Sequence, residues 1–359
     1  MQVIEIKTPK QKKQYIDFLY QVYKDDENFC DMNVIFVKNF LYQKDSYAKR
    51  QIVLPYMIYD NGQPRLECIF VVDKTNEIKL SFVEFLPNAA LYLEKLIELS
   101  NELMKKYNKR KIIVGVNGQI SYGLGILTKN YNQAFEFNSN YNKDYYTDEM
   151  DMVFPIIKRA FSYRYDVNNS VNFFHQGLLA KNYQDYQFRL FDKKNFEKDM
   201  LIFGKLCHES LKQTPYYSEK TPKEMYELMK QVKFLFKNED IIFAMKDGKE
   251  VGFIYTHPNY AELFNHGRIN YVSFFFKQLR RRPKEVIYNV IGVLPDHQRN
   301  GVAMNLIDYS LKMRGKEFTF GNSSFILEDN KESTSLCRKM AIGINKEFHL
   351  YEIERGSYV

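Results

Sequence analysis

One stretch of the sequence constrains the fold more than any other: a strand, a short loop and a helix that follow one another directly. Residues 286–293 are rich in β-formers, and the apolar spacing of residues 304–313 predicts a helix. The first backbone N–H groups of a helix have no intrahelical acceptor and lie at the positive end of the helix dipole. Gly301 and Ala303 are small enough to leave such groups open to a ligand. The stretch therefore predicts a site that binds a phosphate group.

Regular elements are predicted on both sides of this stretch. In the first half the pattern predicts strands at 3–6, 51–59, 65–72, 78–85 and 111–116, and helices at 15–22 and 89–107. The second half starts near Val167, with strands at 186–191, 241–245, 251–255, 286–293, 323–327 and 347–353, and helices at 194–211, 222–235, 304–313 and 333–340. Residues 259–284 show no regular pattern. The second half loosely echoes the first, which favours an α/β (α+β) fold used twice, although no residue-level repeat is present.

Length and composition fit this interpretation. A chain of 359 residues suits two domains, and 45% hydrophobic with 27% charged residues is ordinary for a globular protein. No stretch reaches the roughly 18 apolar residues of a membrane span, and the polar start at residues 1–10 does not resemble a signal peptide. We therefore expect a soluble, cytoplasmic protein without a membrane partner.

Charge and cysteine content exclude two further classes. The net charge of +8 arises from 52 basic and 44 acidic residues, so it is a small excess and indicates no nucleic-acid partner. The four cysteines lie far apart, without CxxC pairs or Cys/His clusters at metal spacing: Cys30, Cys68, Cys207 and Cys337. We expect neither a disulfide scaffold nor a bound metal.

The loop before the last long helix carries a family resemblance. Val293, Leu294 and Pro295 are followed by Gln298, Arg299, Asn300, Gly301, Val302 and Ala303. This run resembles the acetyl-coenzyme A (CoA) signature Q/RxxGxG/A of the GNAT superfamily of N-acetyltransferases, which follows a strand ending in V-x-P. A second element of the family, N-x-x-A/S-x-x-L, is matched by Asn330, Ser333 and Leu336. The resemblance covers the second half of the chain well.

The first half resembles the degenerate N-terminal half of bacterial tandem GNAT proteins, notably at 18–26 and 114–127. After the strand 78–85 the chain reads Leu86, Pro87, Asn88, Ala89, without the phosphate loop. The resemblance implies two tandem GNAT-like domains, 1–166 and 167–359, each a mixed, mostly antiparallel sheet flanked by helices. Only the second is expected to bind CoA.

The resemblance also implies a set of cofactor contacts. The main chain of Ile291 and Val293 is expected to pair with the thioester carbonyl and the pantetheine amides. Gly292, between them, marks a bulge or a close backbone approach. The pyrophosphate is expected on the signature loop, at Gln298, Arg299, Asn300, Gly301, Val302 and Ala303, with Asn330 reaching the pantetheine arm. An acceptor amine would attack the acetyl carbonyl directly, and the Ile291 amide would stabilise the oxyanion.

The catalytic residues depart from the family pattern. Where many members have a Tyr that protonates the leaving thiolate, this chain has Cys337, which is either that acid or, the favoured alternative, an apolar helix residue. No carboxylate is well placed as a base, since Glu285 lies at the start of the strand. Water or Tyr288 could relay the proton.

The function implied is an acyl-CoA-dependent N-acyltransferase that moves acetyl from acetyl-CoA to a small-molecule or peptide amine without a metal. The alternative is a non-catalytic GNAT-like pair that binds CoA, another ligand or a protein partner. The basic run 277–284 fits a solvated loop better than a contact to the CoA 3′-phosphate, an acidic acceptor or nucleic acid. Phe274, Phe275 and Phe276 are expected to line the core or a cleft, and His297 to pack within the loop. The acceptor and the oligomeric state do not follow from the sequence.

Overall fold

The computed structural model describes residues 1–133, 136, 139–175, 185–264 and 267–356, which divide into two compact units. Unit 1 comprises Met1–Phe161, Ala261–Arg280 and Lys346–Val359, and unit 2 comprises Ser162–Tyr260 and Arg281–Asn345. Each unit therefore takes segments from both halves of the chain. The prediction of two consecutive domains, 1–166 and 167–359, did not include these exchanges.

The elements are numbered in chain order. The helices are α1 Pro9–Val22, α2 Val34–Leu41, α3 Ser46–Arg50, α4 Ala90–Lys106, α5 Tyr145–Val153, α6 Val167–His175, α7 Phe196–Leu211, α8 Pro222–Lys230, α9 Tyr271–Arg280, α10 Val302–Arg314 and α11 Lys331–Met340. The strands are β1 Gln2–Glu5, β2 Ile52–Asp60, β3 Gln63–Val72, β4 Glu77–Phe85, β5 Lys111–Val114, β6 Ile126–Leu127, β7 Ile156–Asp166, β8 Gln187–Leu190, β9 Ile241–Lys246, β10 Lys249–Pro258, β11 Glu285–Val293, β12 Phe320–Ser323, β13 Ile326–Leu327 and β14 Gly343–Glu354.

Unit 1 is built on a sheet in the order β1-β2-β3-β4-β5-β14. All neighbours are antiparallel except β4 and β5, which are parallel and are connected by α4. The β2–β3 hairpin closes through Asn61 and Gly62, both with positive φ (48° and 76°), as a two-residue turn between twisted strands requires. The sheet ends on β14, which comes from the C-terminal end of the chain.

Unit 2 repeats this topology with the order β8-β9-β10-β11-β12-β7. The neighbours β11 and β12 are parallel and α10 connects them, while the other pairs are antiparallel. One face of the sheet packs on α10, where Val302 and Leu306 are buried against Val251, Ile254 and Val293. This packing fixes the start of α10 beside the end of β11.

The predicted class, an α/β fold with mixed, mostly antiparallel sheets, is confirmed. The hairpins and the long amphipathic helices also lie close to their predicted positions. No element was predicted for α2, although Val34, Phe36, Val37, Phe40 and Leu41 are buried. The strand β7 and the helix α6 that follows it were not predicted.

Helix α9 lies in a segment for which no regular element was predicted. Phe274 is buried there, as expected, and stacks on Phe264 with ring centroids 4.7 Å apart. Phe275 and Phe276 are exposed, so their predicted place in the core or a cleft is wrong. In a helix three consecutive residues point in different directions, and only one of these rings faces the unit.

None of the helices in the described part of the chain is long and apolar enough to cross a lipid bilayer.

Candidate functional site

The strand β11 presents part of its backbone to open space. The amide of Leu294 donates to the carbonyl of Val251 on β10 over 2.9 Å. Residues of an antiparallel strand alternate between pairs that exchange hydrogen bonds and pairs that do not. Since Ile291 lies opposite Ile254 and Val293 opposite Gly252, both are pairs of the second kind. Their N–H and C=O groups therefore point away from β10.

On its other side β11 separates from its neighbour halfway along. The parallel register with β12 runs from Glu285 to Tyr288, which lies opposite Ser323. Among the residues that the structure describes, no strand continues this pairing along 289–293. The inner backbone groups of Ile291 and Val293 consequently border a gap between separating strands, which is the geometry that their predicted cofactor contacts require.

Two irregularities shape this strand. The register with β10 shifts between Tyr255, opposite Val290, and Thr256, opposite Tyr288, so Asn289 is an extra residue that forms a bulge. Gly292 is a close approach, because an added Cβ would lie 2.4 Å from Ser210 Oγ and 2.5 Å from the Phe253 ring. The bulge predicted at Gly292 lies at Asn289 instead, and the groups that approach Gly292 closely are side chains and not the predicted backbone.

The loop between β11 and α10 is held in a strained, exposed conformation. Arg299 and Gly301 have left-handed φ angles of 62° and 75°. Gln298 Nε2 donates to the Val293 carbonyl over 3.0 Å, which ties the loop to the end of the strand. Gln298, Arg299 and Asn300 are exposed. Left-handed residues in such a loop turn successive N–H groups toward one side, as in known anion-binding turns.

The first turn of α10 completes the site. Gly301 is its N-cap residue, no side chain caps the helix, and the first turn contains no acidic residue. The amides of Val302 and Ala303 thus have no acceptor within the helix. They also lie at its end of partial positive charge. The structure brings the predicted loop residues together with Ile291 and Val293 in unit 2.

Asn330 has a role that the sequence pattern did not include. It is the exposed N-cap of α11, and its Oδ1 accepts a hydrogen bond from the Ser333 amide over 3.1 Å. The carboxamide oxygen therefore serves the helix, which leaves the Nδ2 group as the donor for an external acceptor.

The two predicted catalytic residues lie on either side of a tyrosine that the sequence did not single out. Tyr165 on β7 is a hydrogen-bond partner of the Cys337 thiol. The Tyr165 ring also meets Tyr288 edge to face, with centroids 6.3 Å apart. Tyr288 is the last β11 residue in register with β12, so the cluster lies where the two strands separate. No spacing in the sequence relates Tyr165 to Cys337, because β7 reaches this sheet from the first half of the chain.

All three groups of this cluster are proton donors at neutral pH. Burial raises the pKa of the Cys337 thiol, and the hydrogen bond from Tyr165 only partly opposes that shift. Burial also raises the pKa of Tyr288 and of Tyr165, the latter further by its proximity to Cys337. Tyr288 is therefore unsuited to the role of a base that removes a proton from an amine.

The carboxylate at the start of β11 is fully engaged. Glu285 Oε1 pairs with Arg164 Nη2 at 2.6 Å. Its Oε2 accepts hydrogen bonds from Asn322 over 3.0 Å and from Asn259 over 3.2 Å. Glu285 thus holds neighbouring strands together, which agrees with the expectation that it supplies no catalytic base.

Two remaining expectations concern His297 and metals. The His297 ring shares a hydrogen bond of 3.2 Å with the Tyr186 hydroxyl and meets that ring edge to face, so it packs against the residue that precedes β8. Within the described ranges, no group of three or more His, Cys, Asp or Glu side chains could hold a metal ion.

The corresponding strand and helix of unit 1 are occupied by the chain itself. The β4 amides of Phe82 and Phe85 donate to Asn117 Oδ1 and to the Tyr146 hydroxyl, each over 2.8 Å. At the start of α4, the carboxylate of Glu149 accepts hydrogen bonds from the amides of Asn88 (2.8 Å) and Ala89. At Phe85, which takes the position of Val293, and at the helix start, these protein groups take backbone donors that unit 2 leaves open.

Neither a family model nor a curated protein matches the sequence. Solved structures do match the fold along the chain. A tandem GNAT protein from the clavulanic acid biosynthesis pathway is 9% identical, with a TM-score of 0.56, and the match covers 99% of this chain and 98% of that chain. The chain has the tandem GNAT fold. A probable N-acyltransferase from Enterococcus faecalis is 7% identical, with a TM-score of 0.56 over 99% of this chain and 72% of that one.

A further GNAT neighbour comes from a larger protein. A glucosamine N-acetyltransferase region of a fungal multi-domain β-N-acetylglucosaminidase is 9% identical, with a TM-score of 0.54 over 98% of this chain. The match spans only 38% of that fungal chain. At these identities the GNAT neighbours show the fold alone, and the sequence resemblance in the loop is what connects the fold to an activity.

Proposed function

We propose that unit 2 binds acetyl-CoA, or another acyl-CoA, and transfers the acyl group to an amine. One observation carries this proposal: the open strand β11 leads through an exposed loop into an uncapped helix start. The first feature offers backbone partners for the amides of pantetheine, and the second offers backbone donors for a pyrophosphate. The proposed cofactor contacts are the main chain of Ile291 and Val293, the loop from Gln298 to Ala303, and Asn330 Nδ2.

In the proposed reaction a neutral amine attacks the thioester carbonyl, so that an N–C bond forms as the C–S bond breaks. The Ile291 amide points into the gap between β11 and β12 and would donate to the carbonyl oxygen as negative charge develops there. The amine loses a proton to water, because Glu285 is engaged and Tyr288 is protonated. The CoA thiolate leaves and takes up a proton.

We further propose that the hydrogen-bonded pair of Tyr165 and Cys337 supplies that last proton. Cys337 occupies the helix position at which many GNAT proteins have a Tyr, and the Tyr165 hydroxyl lies against its sulfur. A donor with a raised pKa keeps its proton at neutral pH, so it is still protonated when the thiolate departs beside it.

Calorimetric titration of the full chain with acetyl-CoA tests the binding step. We expect one molecule bound per chain. No heat of binding at high protein concentration would refute the proposal.

A second candidate function is binding without turnover. The engaged Glu285 carboxylate favours it, since that group is not available as a base, and so does Cys337, which stands where many GNAT proteins have a Tyr. Release of free CoA thiol from acetyl-CoA across a panel of amines separates the two functions. Binding without any thiol release would support the non-catalytic pair.

Tyr165 offers a sharper test of the chemistry. In Tyr165→Phe the proton donor is lost while the ring remains, so we expect kcat for thiol release to fall about a hundredfold, within the usual range for a general acid. The acetyl-CoA Kd should not change. The matched control is Tyr217→Phe, which removes a hydroxyl hydrogen-bonded to His208 in the same unit and should leave kcat unaffected. An equal loss in both variants would show that Tyr165 has only a structural role.

The cytoplasmic location, the amine acceptor and the absence of a nucleic-acid partner stay predictions from the sequence.

A further inference from the structure

Helix α9 carries an exposed apolar face. Five of its ten residues have large apolar side chains that are each between 55% and 69% exposed: Tyr271, Val272, Phe275, Phe276 and Leu279. They recur at spacings of one, three and four residues, so they share one side of the helix. Single exposed apolar residues are common on proteins, but a contiguous group of this kind marks an interaction surface.

The attachment of the helix to unit 1 explains why this face points outward. Phe274 is the only buried residue of α9 and stacks on Phe264. The preceding turn is fixed by the Ile269 amide, which donates to Asp31 Oδ1 over 2.8 Å, and by Arg268, whose guanidinium lies 4.2 Å from the centre of the Tyr20 ring. The helix is therefore held from one side and leaves its other side to a partner.

The charge around this face has one sign. The 18 residues 267–284 contain six basic side chains and no acidic one: Arg268, Lys277, Arg280, Arg281, Arg282 and Lys284. Since the whole chain has a net charge of +8, this segment alone accounts for most of the excess. Arg280 ends α9, and Arg281 and Arg282 follow it directly, all three exposed. The expectation of a merely solvated loop does not explain an apolar helix face beside such a cluster.

We propose that α9 and the basic residues around it form a docking surface for an anionic lipid membrane. A short helix with aromatic and aliphatic residues on one face and basic residues at its end has the properties of an interfacial membrane helix. The rings and aliphatic chains would lie at the boundary between headgroups and acyl chains, while the cations would remain among the lipid phosphates. None of these residues is among the proposed acyl-CoA contacts, so the proposal does not depend on that site.

The composition of the face favours a membrane over two other occupants. Nucleic acid would be attracted by the arginines, but the aliphatic Val272 and Leu279 cannot stack on bases as aromatic rings do. A second copy of the chain would bring a like-charged basic cluster against the first, which opposes self-association. An anionic membrane complements both the apolar stripe and the charge.

Co-flotation of the full chain with vesicles tests the proposal. We expect binding to vesicles that mix phosphatidylglycerol with phosphatidylcholine and little binding to phosphatidylcholine alone. Raising the ionic strength from about 0.05 to about 0.5 M should weaken the binding, since the cations are exposed to screening. Equal binding to both lipids, or none to either, would overturn the proposal.

Variants separate the two contributions. Phe275→Ser with Phe276→Ser should lower vesicle affinity at least about tenfold through lost apolar burial. Changing Arg280, Arg281 and Arg282 to Gln should lower it about a hundredfold, at roughly fivefold per lost cation. The matched control is Leu91→Ser on α4, which removes another exposed apolar side chain and should leave vesicle binding unchanged. The acetyl-CoA Kd should be the same in all of them, which also shows that each variant is folded.

The lack of tryptophan in the chain permits a direct test of insertion. Phe276→Trp introduces one indole on the α9 face, and its emission should shift to shorter wavelength with anionic vesicles. Leu91→Trp should show no shift. A doubling of the mass in light scattering without lipid would assign the face to a second copy, and tight oligonucleotide binding without vesicle binding would assign it to nucleic acid. Either result would overturn the proposal.

Discussion

Both units contain a strand, a turn and a helix in the same order. They differ in the length of the turn and in the residues of the strand. Aligned on their Leu-Pro pairs, Leu86-Pro87 after β4 corresponds to Leu294-Pro295 after β11. Two residues separate Pro87 from the start of α4, whereas six separate Pro295 from the start of α10. In the alignment Glu84 of unit 1 takes the position of Gly292 in unit 2. One unit thus has a short turn and a carboxylate where the other has a long loop and no side chain.

The difference shows how the same fold can fill with its own side chains the backbone groups that another copy of it leaves open. Backbone donors at a separated strand and at a helix start need partners in a folded protein. In unit 1 those partners come from Asn117 and from Tyr146 and Glu149 on α5. The carboxylate at the start of α4 supplies the negative charge that a phosphate would supply at α10. Because its backbone donors are already hydrogen-bonded to side chains, unit 1 does not need a phosphate-binding loop.

The largest expected difference between the two units is a pH-dependent contribution of unit 1 to the free energy of unfolding. Burial raises the pKa of Glu84 to about 7, although hydrogen bonds from Tyr146 and Tyr23 oppose the shift. The folded unit therefore holds a proton on Glu84 that the unfolded chain releases above its ordinary pKa. Stability should be fully present below about pH 4.5 and should fall by about 2 to 3 kcal/mol as the pH rises to 7.

Glu84→Gln is the matched variant, because its amide remains neutral at every pH and can still accept from both hydroxyls. In urea unfolding of the full chain, we expect it to equal the unchanged protein near pH 5 and to be more stable above pH 7. Glu94→Gln, an exposed site on α4, is the control and should show no such pH dependence. If the free energy of unfolding changed with pH in the same way in Glu84→Gln and in the unchanged protein, Glu84 would not hold the proton assigned to it.

A smaller effect is expected from the internal carboxylate at α4. Glu149→Ala removes the acceptor of the Asn88 and Ala89 amides and should destabilise the chain by about 2 kcal/mol, the usual range for a hydrogen bond to a charged group. Asp148→Ala, the exposed neighbour, should cost much less. Acetyl-CoA should still bind once per chain, because Asn117 and Tyr146 continue to fill the strand. A second bound molecule in Glu149→Ala would show that unit 1 is blocked by this one side chain.

These features differ in how well the sequence alone predicts them. The candidate phosphate loop and the lack of its motif after Pro87 follow from local residue types, because a helix start needs only its own loop to be recognised. The hairpins and amphipathic helices are local in the same sense. By contrast, Glu149 reaches α4 from about sixty residues away, and β14 reaches β5 from the other end of the chain. No periodicity encodes such pairings, since they depend on the packing of whole elements.

The same reasoning explains the residues missed near the candidate site. Cys337 was found because a family pattern gives its position on one helix. Tyr165 was not, because it meets Cys337 only after β7 has joined the sheet of unit 2. The exposed rings of α9 were misassigned for a related reason: consecutive aromatic residues indicate a core only when their side chains share a face.

The smallest and most specific effect should come from one added charge at each helix start. Asn300→Asp is isosteric and exposed, and a carboxylate just before α10 suits the helix dipole, so the fold should not suffer. The same charge repels a pyrophosphate, and acetyl-CoA affinity should fall about tenfold, equivalent to about 1.4 kcal/mol. Asn88→Asp makes the equivalent change at α4 and should leave the affinity within about twofold, because Glu149 already occupies that helix start.

Calorimetry of both variants at low and high salt completes the comparison. Screening should restore part of the affinity lost in Asn300→Asp, since the added charge is exposed and acts through solvent. An equal loss in Asn300→Asp and Asn88→Asp would mean that both helix starts contribute to one ligand. The distinction between an occupied groove and an open one would then be wrong, because it rests on α10 alone being free to receive a phosphate.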